Sequence, residues 1–215
     1  MKRKLYLGFA LIFIYIVFTI SLLFVDRSAV GPLNSMVGYS SINMWFHNLT
    51  GVNWVLYNIT DWGGIPPILM GILFGVIGLI QLIKRRSIFK VDRELIILGF
   101  FYITVFIIYM LFEFVVINRR PVLIEGRLET SYPSSTTFLS ITFLLSPFVQ
   151  VKKYVKNIKK SKIICVLLNF YMLFLVVGRL LSGVHWLSDI LGSVFIGYGI
   201  LKIYEFVLNA SIKNK

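Results

Sequence analysis

Charged residues are scarce in this chain, and acidic residues are the scarcest of them. Nine of its 215 residues are Asp or Glu, and charged residues of both signs make up 14%, whereas an average soluble domain is about one quarter charged. Hydrophobic residues make up 58%. A chain of this length cannot bury so much apolar surface while it faces water. A soluble enzyme is therefore excluded.

Cysteine is almost absent as well. The single residue, Cys165, lies inside an apolar stretch, and one cysteine excludes both a disulfide framework and a cysteine-ligated metal site. The simplest interpretation of Cys165 is a small buried hydrophobic side chain.

Long apolar runs are what the sequence has instead. A membrane helix needs about 20 mostly apolar residues, and six stretches are candidates: 5–25, 64–83, 95–117, 136–151, 163–181 and 188–208. The fourth is short and contains Pro147, so we expect it to be tilted, kinked or longer than drawn. The sequence predicts an all-α polytopic membrane protein whose residues 1–215 form one domain with six transmembrane helices.

Basic residues indicate the orientation of these helices. They number 22 and cluster between the apolar runs, which is typical of cytoplasmic loops rather than of a nucleic-acid-binding surface. With the N-terminus inside, 17 of the 22, including every lysine, lie on the cytoplasmic side. This pattern predicts a multi-pass protein of the plasma (cytoplasmic) membrane with both termini inside.

The remaining basic residues are all arginines. Arg119, Arg120, Arg127 and Arg179 lie at the outer ends of spans three and five or between spans three and four. Because the planar guanidinium suits phosphate and carboxylate groups, they indicate an outward-facing anion site. The alternative is that these side chains only reach toward lipid headgroups.

The first outer connection, 26–63, is poor in charge and rich in aromatic residues. Such a segment between helices 1 and 2 is predicted to lie in the membrane interface. It could cover or gate a lipid entrance, but an aromatic belt with no further role is the simpler account. His47 has no metal-ligating neighbour at a useful spacing and is interpreted as an interfacial polar residue.

Three polar segments share the outer face of the predicted topology: 118–121, 132–137 and 179–189. In the second, Ser134, Ser135 and Thr136 stand where a helix begins, so hydroxyls and free backbone N–H groups there could cradle a phosphate. Ordinary capping of the helix after a proline turn is the alternative.

The third segment contains a more specific pattern, Arg179-x5-His185-x3-Asp189. Residues four apart share one face of a helix. Asp189 could therefore accept a proton from one nitrogen of His185 and leave the other nitrogen free as a nucleophile or base. A buried structural pair is the alternative, although charged residues at membrane spans are functional by default.

These segments resemble the type 2 phosphatidic acid phosphatase superfamily of membrane lipid phosphatases. Its signatures are Lys-x6-Arg-Pro, Pro-Ser-Gly-His and Ser-Arg-x5-His-x3-Asp, on six spans with the site at the outer face. Arg120-Pro121 is similar to the end of the first signature, and Pro133-Ser134-Ser135-Thr136 to the second. Gly178-Arg179-x5-His185-x3-Asp189 is similar to the third, which is the strongest match.

The resemblance implies a role for each matching residue. His185 would attack phosphorus and form a phosphohistidine, and Asp189 would orient it. The family needs no metal, and this sequence has no carboxylate cluster at the outer face that suits magnesium; no cofactor is predicted. The residues expected to bind the phosphate are Arg119, Arg120, Ser134, Ser135, Thr136 and Arg179.

Three positions depart from the signatures. Glu113 stands at the place of the first lysine, where it would repel phosphate if it faced the site, unless Arg119 compensates or Glu113 pairs with an arginine. Gly178 replaces a serine, which we interpret as the mild loss of one hydroxyl donor. Thr136 replaces the histidine that protonates the leaving oxygen, and such a general acid is worth about 10²–10⁴ in rate.

The missing acid bears on the substrate. A leaving alcohol, whose pKa is about 16, needs that proton, whereas a leaving phosphate with a pKa of about 6 hardly does. A lipid diphosphate such as undecaprenyl diphosphate is therefore favoured over phosphatidic acid or phosphatidylglycerophosphate. A replacement acid among Glu125, Glu129 and Tyr132 would readmit these monoesters. A catalytically silent relative that only binds lipid is the alternative outside the enzymes, and the sequence does not determine the oligomeric state.

Overall fold

The computed structural model describes residues 2–213, and these form nine α-helices and no β-strand. The all-α prediction is therefore confirmed for the described residues. In chain order the helices are α1 Lys2–Ser21, α2 Ser40–Thr50, α3 Trp54–Trp62, α4 Ile65–Arg85, α5 Arg93–Phe114, α6 Ser135–Leu145, α7 Phe148–Tyr154, α8 Ile158–Leu181 and α9 Leu187–Lys213.

Five helical stretches in this part of the chain are long and apolar enough to cross a membrane. They correspond to the first, second, third, fifth and sixth predicted spans. The second is longer than expected, because α3 leads through a short turn into α4. The five stretches are Lys2–Ser21, Trp54–Arg85, Arg93–Phe114, Ile158–Leu181 and Leu187–Lys213.

The fourth predicted span, 136–151, is not one helix but two, α6 and α7. The break falls at Pro147, because proline has no N–H to donate and its ring disturbs the preceding turn. Helix α6 has 11 residues, a length of roughly 17 Å at 1.5 Å per residue. That is about half of the hydrocarbon thickness of a bilayer, so α6 alone does not span it.

Helices α6 and α9 form the centre of the bundle. Helix α6 packs against α4, α8 and α9, and α9 also packs along α1. Phe138, Ile141 and Leu201 on these helices are each no more than 1% exposed. The approach of α1 to α9 depends on Gly8, where a Cβ would lie 2.7 Å from Cγ1 of Ile203. Small residues commonly allow membrane helices to approach in this way.

The two ends of the bundle differ in composition. At one end, called the site end below, α1, α5 and α8 finish and α4, α6 and α9 begin. At the opposite end, called the basic end, lie the lysine-containing loops 84–93 and 152–162. Segment 26–63 lies at the site end and folds into α2, which contacts α9, and α3, which contacts α8. Trp45, Trp54 and Trp62 on these two helices are exposed.

Candidate active site

A hairpin-like loop at the site end presents two of the predicted phosphate ligands. Residues 118–131 fold back on themselves through isolated antiparallel bridges, Arg119 with Thr130 and Ile124 with Arg127. The chain reverses at Glu125 and Gly126, whose φ angles of 48° and 76° are positive, a conformation that glycine adopts readily. The same ladder places Arg120 opposite Glu129, since the Arg120 N–H donates to the Glu129 carbonyl.

His185 and Asp189 form the pair that their spacing predicts. His185 Nδ1 lies 3.3 Å from Asp189 Oδ2, and both side chains are at most 3% exposed. The backbone N–H of Trp186 donates to the same oxygen at 2.9 Å. These contacts fix the imidazole ring from its Nδ1 side and leave Nε2 for the other neighbours of the ring.

The other ring nitrogen faces an arginine. Nε2 of His185 lies 3.2 Å from Nη1 of Arg120. Burial, followed by the charges of Arg120 and Arg179, holds the pKa of His185 well below its usual range. The ring is therefore neutral at pH 7, with the proton on Nδ1 toward Asp189 and a lone pair on Nε2, which is the protonation state of a nucleophile.

A polar cavity of about 450 Å³ opens beside this nitrogen. Among the predicted phosphate ligands, Arg119, Arg120 and Ser135 line it together with His185. The remaining lining residues are Phe112, Glu113, Leu128, Glu129, Thr130, Ser131, Tyr132 and Pro133. A donor-rich cavity beside a neutral imidazole nitrogen can hold a phosphate for attack.

The start of α6 contributes less to the cavity than expected. Ser134 is fully buried, and its hydroxyl accepts from the Thr137 N–H at 3.5 Å as an N-cap. Thr136 does not line the cavity and instead has its methyl group near Gly64, on the α4 side. Of these three residues, only Ser135 lines the cavity. The interpretation as a helix cap therefore applies to Ser134, and the interpretation as a phosphate cradle applies to Ser135.

Arg179 lies behind the cavity wall rather than in it. Its Nη2 pairs with Asp61 Oδ1 at 2.8 Å, and its guanidinium stacks 4.7 Å from the centre of the Tyr57 ring. Asp61 and Tyr57 belong to α3, in the segment predicted to be interfacial. Sequence reasoning missed both residues, although Asp26 and Asp61 are the only acidic residues of that segment.

The structure corrects the interpretation of Gly178 as a mild loss of a hydroxyl. A Cβ at this position would lie 2.6 Å from Cγ2 of Thr60, and Thr60 is fully buried. A serine here would therefore displace α3 from α8. Glycine is the residue that this close approach requires.

Carboxylates also face the cavity. The departures from the family signatures had left open whether Glu113 does so. Glu129 Oε2 lies 3.0 Å from Arg120 Nε, and Glu113 lines the cavity with its side chain near Tyr109. Glu125, at the turn of the hairpin, is not among the lining residues. Tyr132 lines the cavity, but its hydroxyl bonds to Thr19 at 2.6 Å, and burial raises its pKa above the usual range.

Asn118 is a further buried residue that sequence reasoning did not assign. Its Oδ1 accepts from the Gly38 N–H at 3.1 Å, and its side chain, like that of Ser131, lies close enough to Asp189 to interact with it. Asn118 thus joins the segment 26–63 to the pair of His185 and Asp189. No group of three or more His, Cys, Asp and Glu side chains in residues 2–213 is arranged to hold a metal ion.

Comparisons with known proteins concern the family and the fold of the chain. The family model described as PAP2 superfamily matches residues 100–211, just over half of the chain. Among solved structures the chain is similar to a transmembrane PAP2 type phosphatidylglycerolphosphate phosphatase from Bacillus subtilis, with a TM-score of 0.59, 17% sequence identity and coverage of 97% of each chain. No curated protein matches the sequence.

Proposed function

The chain belongs to the PAP2 superfamily, and we propose that it is an integral membrane lipid phosphatase that acts through a phosphohistidine on His185. The observation that carries the proposal is that Nε2 of His185 lies 3.2 Å from Arg120 and that both residues line one polar cavity. A membrane phosphatase fold of this kind is consistent with a lipid substrate that enters from the bilayer.

The reaction proceeds in two displacements. In the first, the phosphate displaces Arg120 from Nε2, the lone pair of Nε2 forms a bond to phosphorus, and the bond from phosphorus to the leaving oxygen breaks. Arg120 and Arg119 neutralise the charge on the phosphoryl oxygens. In the second, a water oxygen bonds to phosphorus, the P–N bond breaks and returns its electron pair to Nε2, and the proton that the water loses passes to the leaving group released in the first step. Asp189 stabilises the positive charge that His185 carries between the two steps.

The leaving group determines whether a proton donor is needed. Thr136 does not titrate near neutral pH and does not line the cavity. A diphosphate substrate, whose leaving phosphate departs without prior protonation, is compatible with this site. We therefore keep a lipid diphosphate of the undecaprenyl diphosphate type as the first candidate substrate.

A phosphate monoester such as phosphatidic acid or phosphatidylglycerophosphate is the second candidate, and Glu113 and Glu129 favour it. Both carboxylates line the cavity and balance the charges of Arg119 and Arg120, so a substrate with one phosphate group is accommodated better than one with two. Either carboxyl group, once protonated, could also supply the proton to a leaving alcohol.

We also propose that the site end faces away from the cytoplasm. The basic loops 84–93 and 152–162 lie at the opposite end, and such loops remain cytoplasmic. Labelling of single cysteines placed in the hairpin at Gly126 and in the basic loop at Lys159, with a membrane-impermeant maleimide on intact cells, tests this. Labelling of the Lys159 position alone would contradict the proposed orientation.

Phosphate release by the detergent-purified protein tests the proposed activity. The assay compares undecaprenyl diphosphate, phosphatidic acid and phosphatidylglycerophosphate in excess EDTA for the wild type and His185→Ala. We expect EDTA-resistant release that His185→Ala abolishes, and a phosphohistidine detectable after acid-free quenching. Faster release from a monoester would identify the second candidate. Lipid binding without release would instead indicate a silent relative.

A further inference from the structure

Arg179 is a buried cation whose counter-charge comes from outside the segments that form the cavity. Its side chain is 2% exposed, and an uncompensated charge at that depth is strongly unfavourable. Asp61 on α3 supplies the compensation at 2.8 Å, and the Tyr57 carbonyl and the Thr60 hydroxyl accept from Nη1 at 3.4 and 3.5 Å. All of these partners of the guanidinium lie on α3.

Helix α3 is itself held in a defined place on α8. The Tyr171 hydroxyl donates to the Gly63 carbonyl at 2.8 Å, one residue after α3 ends. Gly178, next to Arg179, leaves no room for a Cβ beside Thr60. These two contacts hold the C-terminal part of α3, which carries Asp61, against α8.

One donor of Arg179 is left without a partner. Nε of Arg179 is buried and makes no hydrogen bond within residues 2–213, whereas the terminal nitrogens are occupied by α3. Arg179 nevertheless lies close enough to His185 for its charge to lower the pKa of the imidazole. Its contribution is smaller than those of burial and of the charge of Arg120. Arg179 does not line the cavity, so Asp61 orients a guanidinium whose positive charge acts from close by on a phosphoryl group held at His185.

From this geometry we infer that Asp61 is a positioning residue, which holds Arg179 in register for the phosphoryl group through a contact made by the helix α3. The inference rests on the proposed function. It assigns a role in phosphate binding to the segment 26–63, which contains exposed tryptophans at both ends of α3. Displacement of α3 would then weaken the interaction of Arg179 with phosphate.

Binding of inorganic phosphate to the detergent-purified full chain tests the inference without turnover. Isothermal titration calorimetry would compare the wild type with Asp61→Ala, which removes the acceptor, and Asp61→Asn, which keeps one acceptor oxygen. Asn58→Ala is the matched control, because Asn58 is an exposed residue of the same helix. Where the wild type releases phosphate from a lipid, kcat and KM are measured for the same set.

We expect Asp61→Ala to weaken phosphate binding about tenfold and to lower kcat by a similar factor with little change in KM. Asp61→Asn should stay within about threefold of the wild type, and Asn58→Ala should equal it. In an Arg179→Ala background, Asp61→Ala should cause no further loss, since residues that act through one another are not additive.

Several outcomes would overturn the inference. Tighter phosphate binding in both Asp61 variants would mean that Asp61 only weakens the field at the site. An equal loss in the Arg179→Ala background would mean that it does not act through Arg179. The absence of phosphate binding by the wild type would leave Arg179 with no anion to hold. The wild type and its variants could bind phosphate in the expected order of affinity while the wild type releases no phosphate from any lipid. In that case the positioning role stands and the proposed hydrolase activity fails.

Discussion

The charged side chains of the network at the basic end are partly exposed, whereas Arg179, His185 and Asp189 at the site end are buried. At the basic end, the carboxylate of Asp92 accepts from Arg85 at 3.0 Å, Gln81 at 3.1 Å and Tyr154 at 3.0 Å, and Lys153 pairs with it at 3.0 Å. At the site end, Nε of Arg179 and the hydroxyl of Thr137 are buried without a hydrogen-bond partner in residues 2–213.

Unmet hydrogen-bonding groups are uncommon in folded proteins, and each one calls for a reason. At the basic end the network ties α4, α5 and α7 together, which is a contribution to stability. At the site end Arg120 lines a cavity of about 450 Å³ and pairs with Glu129, while Arg179 pairs with Asp61 outside that cavity. One end thus joins helices through a partly exposed network, whereas the other holds buried groups to which the proposed function assigns the binding of phosphate.

Truncation of one arginine at each end tests whether the two ends have different roles. Arg120→Ala should lower phosphate release by about 10²–10³, because it removes a donor to the charged phosphoryl oxygens, and should change the thermal midpoint little. Arg85→Ala should leave phosphate release unchanged and lower the midpoint by a few degrees. Assays of release and of thermal unfolding on both variants decide. Equal losses of activity would refute the division of roles.

Restoring the serine of the third signature should reduce activity rather than raise it. In Gly178→Ser the new Cβ would meet Thr60 Cγ2 at 2.6 Å and push α3 from α8, so we expect about a tenfold loss of phosphate release. Thr60→Ser removes the obstructing methyl group, and the double variant Gly178→Ser/Thr60→Ser should recover most of the activity. Full activity in Gly178→Ser alone would contradict the required close approach.

The pH dependence of the site should differ from that of an exposed histidine. Because burial and two arginines lower the pKa of His185, the nucleophile stays neutral as the pH falls through about 6.5, the ordinary value. The acid limb of kcat/KM should therefore lie below that pH. Arg120→Gln removes one of the causes and should move the limb upward. The pH profile of residual phosphate release measures both; a limb at or above the ordinary value in the wild type would be evidence against a buried neutral imidazole.

The smallest effect is expected from Asp92→Asn at the basic end. Burial would raise the pKa of Asp92, but hydrogen bonds from Arg85, Gln81, Lys153 and Tyr154 lower it below its usual range. A carboxyl group whose pKa is depressed by folding stabilises the protein above its unfolded pKa of about 3.9 and loses that contribution as the pH falls below it. Asp92→Asn should thus cost about 1–3 kcal/mol at pH 7 and less in acid, as thermal unfolding at several pH values would show. A cost that does not shrink in acid would exclude this linkage.

Local patterns in the sequence anticipated the features that depend on neighbouring residues. His185 and Asp189 are four residues apart and meet at 3.3 Å. Helix α9 begins at Leu187, so His185 precedes it, and Asp189 reaches back from the first turn to the Trp186 N–H and to the imidazole ring. The break near Pro147 follows from the missing N–H of proline. Apolar runs of the right length predicted the five long helices. In a bilayer each segment must satisfy its own backbone hydrogen bonds, and a helix does so within the segment.

Partners far apart in the chain were beyond such reasoning. The family resemblance assigned Arg120 to phosphate but did not predict its contact with His185, and Asp61, Glu129 and Asn118 were not assigned a partner at all. Thr136 was expected at the phosphate and points to Gly64 instead, because the orientation of one residue in a helix depends on which neighbours surround that helix.

The sequence alone was enough to predict a helical membrane protein with an arginine, histidine and aspartate motif at one end, because span length, hydropathy and residue spacing are properties of short stretches of chain. The tertiary structure decided which charges meet: Arg179 with Asp61, Arg120 with Glu129, and Glu113 with the cavity. The physical reason is that an ion pair depends on the distance between two side chains in space, and the packing of α3 on α8 and the folding of the 118–131 hairpin set those distances.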